Sequence, residues 1–148
     1  MLNNVLKTIR IECDDEGRLR LLTWGHDNTP ILKGAGADYI LQQIEEYLAG
    51  KRKTFDVKLC FDNGTEFQQK VWQALYEIPF SDVVTYKELA DKVGTHPRAI
   101  GGAVGKNPIP IIVPCHRVVA QQAIGGFSAV GGAEIKKEFL DLEKKEQE

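Results

Sequence analysis

Between Ile109 and Gln122 the chain reads IPIIVPCHRVVAQQ, placing a thiol, an imidazole and a guanidinium in consecutive positions, Cys115-His116-Arg117, after Pro114. A cysteine so placed has two readings. Buried, it is a small inert hydrophobe; beside a base or a positive charge it is a nucleophile, because only the thiolate attacks and a free thiol is little ionised at neutral pH. Consecutive side chains usually point apart, so any contact between Cys115 and His116 has to be made by the fold or through a water. For an isolated pair, a buried Cys with a satisfied His is the commoner outcome. Arg117 either lowers the pKa of the thiol or fastens two lobes of the chain together, and the second role is preferred. The other cysteines, Cys13 and Cys60, complete an odd set of three without CxxC spacing, which indicates neither a disulfide framework nor a zinc knuckle. Cys13 with His26 offers too few ligands for a metal, and none is expected.

The elements that must carry these groups are legible from composition and period. A chain of 148 residues, 43% hydrophobic, builds one core or two small lobes. A formal net charge of -2 argues against a uniformly basic surface. The acids concentrate in Cys13-Asp14-Asp15-Glu16 and in the tail Glu134 to Glu148, so a local basic face is still allowed. No apolar run reaches the ~18 residues of a membrane span, and Met1-Leu2-Asn3-Asn4 lacks the pattern of a signal peptide. These features and the cysteine usage lead to the expectation of a soluble cytoplasmic protein in a reducing compartment.

Leu6 to Cys13 (LKTIRIEC) and Arg18 to Trp24 (RLRLLTW) alternate like strands around the turn Asp14-Asp15-Glu16-Gly17, a hairpin. Ala37 to Ala49 has helical spacing at Ile40, Leu41, Ile44, Tyr47 and Leu48, and Gly50 stops it. Thr54 to Phe61 (TFDVKLCF) alternates again and is expected as a third strand. The period then changes at Asp62-Asn63-Gly64, which sets expected domains of 1–62 and 63–148. Thr65 opens an amphipathic helix through Phe67, Val71, Trp72, Leu75 and Ile78, closed by Pro79. Thr85 and Glu88 form a capping box for a helix ended by Gly94, and Thr95 caps a small-residue helix, PRAIGGAVGK, that stops at Asn107-Pro108. Two such helices around a tight turn are a helix-turn-helix signal. Ile111, Ile112 and Val113 read as a buried strand leading to Pro114 and the thiol. Gly131 to Glu148 reads as a final helix, with Ile135, Phe139, Leu140 and Leu142 on one side and Lys136, Lys137, Glu138, Lys144 and Lys145 on the other.

NPIPIIVPCHRV, Asn107 to Val118, resembles the active-site signature of the O6-alkylguanine-DNA alkyltransferases, which accept an alkyl group from damaged guanine onto a cysteine. The resemblance extends through TEFQQKVWQALYEIPFSDVVTYKELADKVG, PRAIGGAVGKNP, GGFS and KKEFLDLE, and so covers Thr65 to Glu143. It implies an RNase H-like α/β first lobe, an antiparallel sheet plus helix, followed by a mostly helical domain with a winged-helix-like helix-turn-helix. It also implies that Cys115 accepts the alkyl group, that His116 takes the thiol proton through a bound water, and that Glu143 orients His116. Taken alone, Glu143 is one solvated carboxylate among several on its helix. Asn107 corresponds to the asparagine that ties the turn before the cysteine, a role compatible with the ordinary one of a helix C-cap.

The same resemblance implies nucleotide flipping, since the target atom lies inside the duplex. Arg98 would fill the vacated place in the stack, Tyr86 would assist rotation, and Ala99 and Gly101, with Gly102 and Ala103, would let the helix approach the minor groove. Carbonyls near Cys115 and Val118 would face the guanine amine, and Ser128 the substrate oxygen. The family commonly reads Gly-Tyr/Phe-Ser-Gly-Gly, whereas this chain reads GGFSAVGG. Ala129-Val130 therefore lengthens the loop over the pocket, and Phe127 keeps an aromatic ring without a hydroxyl.

The implied activity is a methylated-DNA-[protein]-cysteine S-methyltransferase that reacts once, on O6-alkylguanine and less on O4-alkylthymine in double-stranded DNA. A monomer without cofactor or membrane partner is expected. The alternatives are a lesion-binding module, which would lack the acceptor cysteine, and a cysteine hydrolase or thiol-redox enzyme, which would need neither Arg98 nor Tyr86.

Overall fold

The computed structural model describes residues 2–121, 125, 129 and 131–147, with 146 and 147 as backbone alone. It divides into two compact units, Met1–Phe61 and Asp62–Glu148. Among the described residues no helix is long and apolar enough to cross a membrane.

The first unit opens with a short helix, α1 (Leu2–Lys7), where alternation predicted the strand to begin at Leu6. Val5 is buried from that helix, and Thr8 closes it by donating its hydroxyl to the Asn4 carbonyl. The hairpin then forms from β1 (Arg10–Cys13) and β2 (Leu19–Thr23), which pair antiparallel. Its turn is tied by Asp14, whose carboxylate accepts from the backbone N–H groups of Glu16 and Arg18 and from the Arg18 guanidinium. The register slips between Glu12 and Cys13, so that Cys13 faces Leu19 while Glu12 faces Leu21. Arg20 is thereby left over as a bulge, and Leu19 and Leu22, three residues apart, are both buried.

The third strand is β3 (Ile31–Lys33), parallel to β1, which makes the sheet mixed, in the order β2-β1-β3. The expected antiparallel sheet and the expected strand at Thr54 to Phe61 are both corrected here. The latter segment keeps its alternating exposure but, among the described residues, makes a single bridge, Leu59 to Leu19. Part of what a ladder would supply comes instead from α2 (Ala37–Leu48). Its buried Gln43 side chain accepts from Asp56 N–H at 2.7 Å and donates to Asp56 C=O at 3.0 Å. A side-chain amide here takes the place of a neighbouring strand, satisfying both polar groups of one residue.

In the second unit, α3 (Glu66–Tyr76) starts at a complete capping box between Thr65 and Gln68 and buries Val71, Trp72, Ala74 and Leu75. Phe67, expected on that face, is 38% exposed. The two-residue strand β4 (Val84–Thr85) leads into α4 (Tyr86–Val93), capped by the Thr85–Glu88 box and ended by Gly94 at φ 88, a left-handed cap that suits glycine. After a short turn comes α5 (Pro97–Val104), whose N-cap is His96, not Thr95. Pro97 explains the shift: it occupies the first helical turn and holds the preceding residue extended, so the His96 ring nitrogen accepts from Ala99 N–H. The buried Trp72 indole binds α3 to α5 by donating to the Ala103 carbonyl at 2.9 Å.

The expected strand at Ile111 to Val113 is absent; these residues form turns before a single 3-10 turn at Cys115–Arg117. Ile111 sits at φ 75, and Val113 N–H reaches back to the Ile109 carbonyl, a geometry that no ladder permits. Pairing starts just beyond, where β5 (Val118–Val119) runs parallel to β4. The last helix, α6 (Gly132–Gln147), buries Ile135, Lys136, Phe139 and Glu143. Lys136, expected on the charged outer side, is thus an inward-facing residue.

Candidate active site

The thiol is carried by a loop with little freedom. Asn107 accepts from Ile109 N–H at 3.0 Å and donates to the Val113 carbonyl at 2.9 Å, spanning the turn with one side chain. Inside this clamp the buried, β-branched Ile111 is held in the left-handed region, at a cost on the order of 1–3 kcal/mol that the surrounding packing has to sustain. Residues 109–118 are all buried, and Cys115 is 6% exposed. Burial pushes the Cys115 thiol up to about 11, against opposing contributions from the Asn107 side chain, the Lys136 charge and the backbone N–H groups of Cys115 and His116. At rest the thiol is therefore protonated, with donors and a cation in place to receive the negative charge when the proton leaves.

His116 points away from solvent, with its ring 5.3 Å from that of Phe139. Its Nε2 lies 2.6 Å from Glu143 Oε2. Burial would raise the Glu143 carboxyl, but its contacts with His116 and Arg117 prevail and hold it at about 2. Burial depresses the His116 pKa, and the interaction with Glu143 opposes this without overcoming it. At neutral pH an ionised carboxylate thus faces a neutral imidazole. Because an ionised carboxylate can only accept, Nε2 carries the hydrogen and Nδ1 holds the lone pair. Nδ1 is buried and has no hydrogen-bond partner among the described residues.

With the imidazole neutral, Arg117 supplies the lasting positive charge on Glu143. Its Nε donates to Oε1 at 2.9 Å, and a terminal nitrogen donates to Oε2 at 3.0 Å. The other terminal nitrogen donates to the Ile78 carbonyl at 2.6 Å, and the guanidinium carbon lies 5.7 Å from the centre of the Phe80 ring. Through these contacts, all within the second unit, Arg117 braces the carboxylate. A fourth donor to Glu143 is the backbone N–H of Ser81, at 3.2 Å.

A second polar cluster gathers at the Val118 carbonyl. The Lys136 ammonium donates to the Val118 carbonyl at 2.7 Å and lies 5.9 Å from the centre of the half-buried Tyr86 ring. Gly125, at φ 81, closes over the pair: a Cβ there would lie 3.5 Å from both Lys136 Nζ and Tyr86 Cε2. Burial, then the charge of Cys115, raises the Tyr86 phenol above its ordinary value, so it stays a donor. Arg98 is exposed on α5, and Cβ atoms added at Gly101 or Gly102 would meet nothing within 4 Å.

Residues 66–145 match the DNA binding domain of 6-O-methylguanine DNA methyltransferase. The methylated-DNA–protein-cysteine methyltransferase of Methanosarcina acetivorans is 49% identical over 105 residues, covering 69% of this chain and 65% of that protein. The chain belongs to the 6-O-methylguanine DNA methyltransferase family. The protein of the same name from Metallosphaera sedula is 41% identical over 104 residues, covering 70% of this chain and 65% of its own length. These matches span about two thirds of the relatives' length. Among solved structures, Mycobacterium tuberculosis OGT in complex with DNA has a TM-score of 0.78 at 34% identity, covering 93% of both chains. The O6-methylguanine-DNA methyltransferase of Pyrococcus kodakaraensis has a TM-score of 0.60 at 30% identity, covering 86% of both. Mixed sheet and helices are common to this chain and these methyltransferase structures.

Of the residues expected at a methyltransferase site, the structure gathers Cys115, Asn107, His116 and Glu143 with Arg117, and groups Tyr86 with Val118. Arg98, Ala99 and Gly101 lie apart on α5. Ser128, Phe127 and Val130 lie outside the described residues. Two participants were missed. Lys136 precedes Glu143 by two helical turns and so shares its face, a periodicity that was available in the sequence. Ser81 contributes a backbone N–H, and no side-chain pattern announces that.

Proposed function

We propose that this protein repairs alkylated DNA by accepting the alkyl group itself, with Cys115 as nucleophile and O6-alkylguanine in double-stranded DNA as substrate. The observation that carries the assignment is the buried His116–Glu143 pair next to Cys115, which leaves Nδ1 as the basic nitrogen. His116 takes the thiol proton, directly or through a bound water. The sulfur forms a bond to the alkyl carbon as the bond from that carbon to O6 breaks, and guanine leaves with the electron pair. Tyr86 acts as the donor toward the leaving base, so that the net proton passes from thiol to guanine and a thioether remains. Each molecule reacts once and no cofactor enters the balance.

The outer face of α5 suits the DNA contact: Arg98 as the residue that enters the stack, and Ala99, Gly101 and Gly102 as the surface that allows close approach. On this reading α4 and α5 form a winged-helix-like helix-turn-helix, the first unit is an RNase H-like supporting lobe, and Val118 and Ser128 line the base pocket. The protein acts as a monomer, in the cytoplasm, also on O4-alkylthymine at lower rates. A purely lesion-binding role is disfavoured by the presence of Cys115.

Intact-mass analysis after incubation with a duplex containing O6-methylguanine tests the assignment. Wild-type protein gains one methyl group at Cys115, and Cys115→Ser binds the duplex without gaining mass. Folded wild-type protein that stays unmodified would falsify the assignment. Arg98→Ala slows reaction with the duplex more than with a free O6-alkylated base; equal slowing would remove the wedge role.

A further inference from the structure

A buried indole N–H needs an acceptor, and a helix that stops inside a core leaves carbonyls in need of donors. Trp72, buried on the inner face of α3, meets such a carbonyl at Ala103, in the last turn of α5. Asn107, kept out of that helix by Pro108, gives its N–H to Val104 at 3.2 Å, and Ala103 receives the N–H of Lys106 at 3.1 Å together with the indole. The turn that ends α5 therefore carries two anchors: Ala103, fixed from α3, and Asn107, whose side chain spans the thiol loop from Ile109 to Val113. Gly64 lies against the far edge of the indole, where a Cβ would come within 2.3 Å of Cζ3 and 2.6 Å of Cη2. Resting on the assignment of Cys115 as acceptor and of α5 as the helix that meets DNA, we propose that Trp72 is a positioning residue of methyl transfer. Its indole N–H fixes the end of α5, so that the helix that enters DNA and the loop that carries the thiol keep one register.

The make-up of α5 explains why a directed bond is needed. The helix, PRAIGGAV, buries Ile100, Ala103 and Val104, a narrow apolar strip with little to interlock against sliding. Apolar contact is non-directional, whereas a hydrogen bond to a carbonyl is specific in distance and angle. Arg98 stands in the first turn of this helix and Ala103 in its last, so a bond at Ala103 sets where Arg98 comes to lie. The Asn107 clamp is local by contrast: both of its bonds fall within residues 107–113, and they hold the thiol loop together without reference to α3. The indole bond thus governs how the loop meets a docked duplex, and not how deeply the thiol is packed.

The test compares two reactions of Cys115: single-turnover methyl transfer from saturating O6-methylguanine duplex, read by intact mass, and alkylation of the DNA-free protein by iodoacetamide. Benzothienylalanine in place of Trp72 keeps the bicyclic ring and puts sulfur where the N–H was. Its methyl transfer is expected to be about tenfold slower than that of wild type, since a misplacement well under ~1 Å between reacting groups suffices for such a loss. Its iodoacetamide rate is expected to be unchanged. A role in packing alone gives a different pattern, with methyl transfer preserved by the isosteric ring. Methyl transfer within twofold of wild type, or a parallel change in both rates, would overturn the proposal. Trp72→Phe, aromatic but without a donor, should show the same slow reaction with duplex, and a wild-type rate there would also overturn it. Should neither variant fold, hydrogen exchange of the Trp72 indole N–H in Cys115→Ser decides. By reciprocity, a bond that favours the productive complex is itself favoured by the lesion duplex, so exchange should slow when that duplex is bound; unchanged exchange would sink the coupling. Wild-type protein without methyl at Cys115 would remove the acceptor assignment, whereas a methylated wild type matched in rate by the benzothienylalanine protein would remove only the role of Trp72.

Discussion

Glu143 meets His116 Nε2 at 2.6 Å with both side chains out of contact with water, 1% and 0% exposed. A contact this short to an ionised carboxylate fixes the imidazole tautomer as well as its position, leaving the Nδ1 lone pair to act as base. Glu143→Gln keeps the volume but loses the charge that Arg117 and His116 both face. Methyl transfer is expected to fall about 100-fold, and stability by about 3 kcal/mol, because a buried guanidinium is left without its counter-charge. Single-turnover rates and urea unfolding measure the two effects, and a rate within threefold of wild type would show that the pair does not orient the base.

The same pair sets the acid limit of the fold. The Glu143 carboxyl goes from an ordinary 4.5 to about 2 on folding, its contacts outweighing the penalty of burial. A depressed carboxyl stabilises fully above its unfolded pKa, and this contribution, roughly 3 kcal/mol, is lost as the pH falls from 4.5 toward 2. His116, depressed by burial below its ordinary 6.5, acts in the same direction, since the unfolded chain takes up its proton first. The urea midpoint should therefore decline below about pH 6.5 and more steeply below about pH 4.5. The second decline should be shallower in Glu143→Gln. A midpoint constant down to about pH 3 would contradict the sign of both shifts.

What could be read in advance was local. The capping boxes at Thr65 and Thr85 depend on residues three apart, and both formed. Glu143 stood out among the acids of its helix only through the motif it shares with the family, since the bare sequence favours a solvated carboxylate. Ile111 to Val113 was misread because a short apolar run looks alike in a buried strand and in a buried turn. What decides is the Asn107 clamp, which no hydrophobic pattern encodes. Lys136 was misread because a charge was assigned to the solvent side, although its spacing from Glu143 puts both on one face. The true third strand, Ile31–Lys33, is too short to carry a period, and the segment that did alternate is satisfied partly by the Gln43 amide.

Ser81 holds its N–H on Glu143 from a left-handed backbone, φ 72, that disfavours every side chain. Ser81→Gly keeps that N–H and removes the strain, about 1–2 kcal/mol, against an entropic cost of about 0.4–1 kcal/mol in the unfolded chain. The net gain, on the order of 0.5 kcal/mol, should raise Tm by ~1–2 °C in a chain of this size. Ser81→Val, β-branched at the same φ, should lower it by several degrees. Calorimetry checks the pair, and a Ser81→Gly protein melting below wild type would mean that the serine side chain stabilises its turn by more than the strain.

Alkylation should leave the protein less stable than it was before reaction. Cys115 is 6% exposed, lies in the unbroken buried stretch 109–118, and has the Asn107 side chain and two backbone N–H groups directed at its sulfur. A thioether is a poorer acceptor than a thiolate, and its added methyl must find volume in a loop already strained at Ile111. Overpacking of this kind costs about 1–3 kcal/mol. At this chain length that corresponds to a Tm lowered by ~2–10 °C. Differential scanning calorimetry of wild-type protein before and after complete reaction with O6-methylguanine duplex, freed of DNA, measures the change. Cys115→Ser carried through the same treatment should not move. An unchanged Tm in the methylated protein would mean that the pocket accommodates the alkyl group in space it already has, and that the thiol loop does not register the reaction.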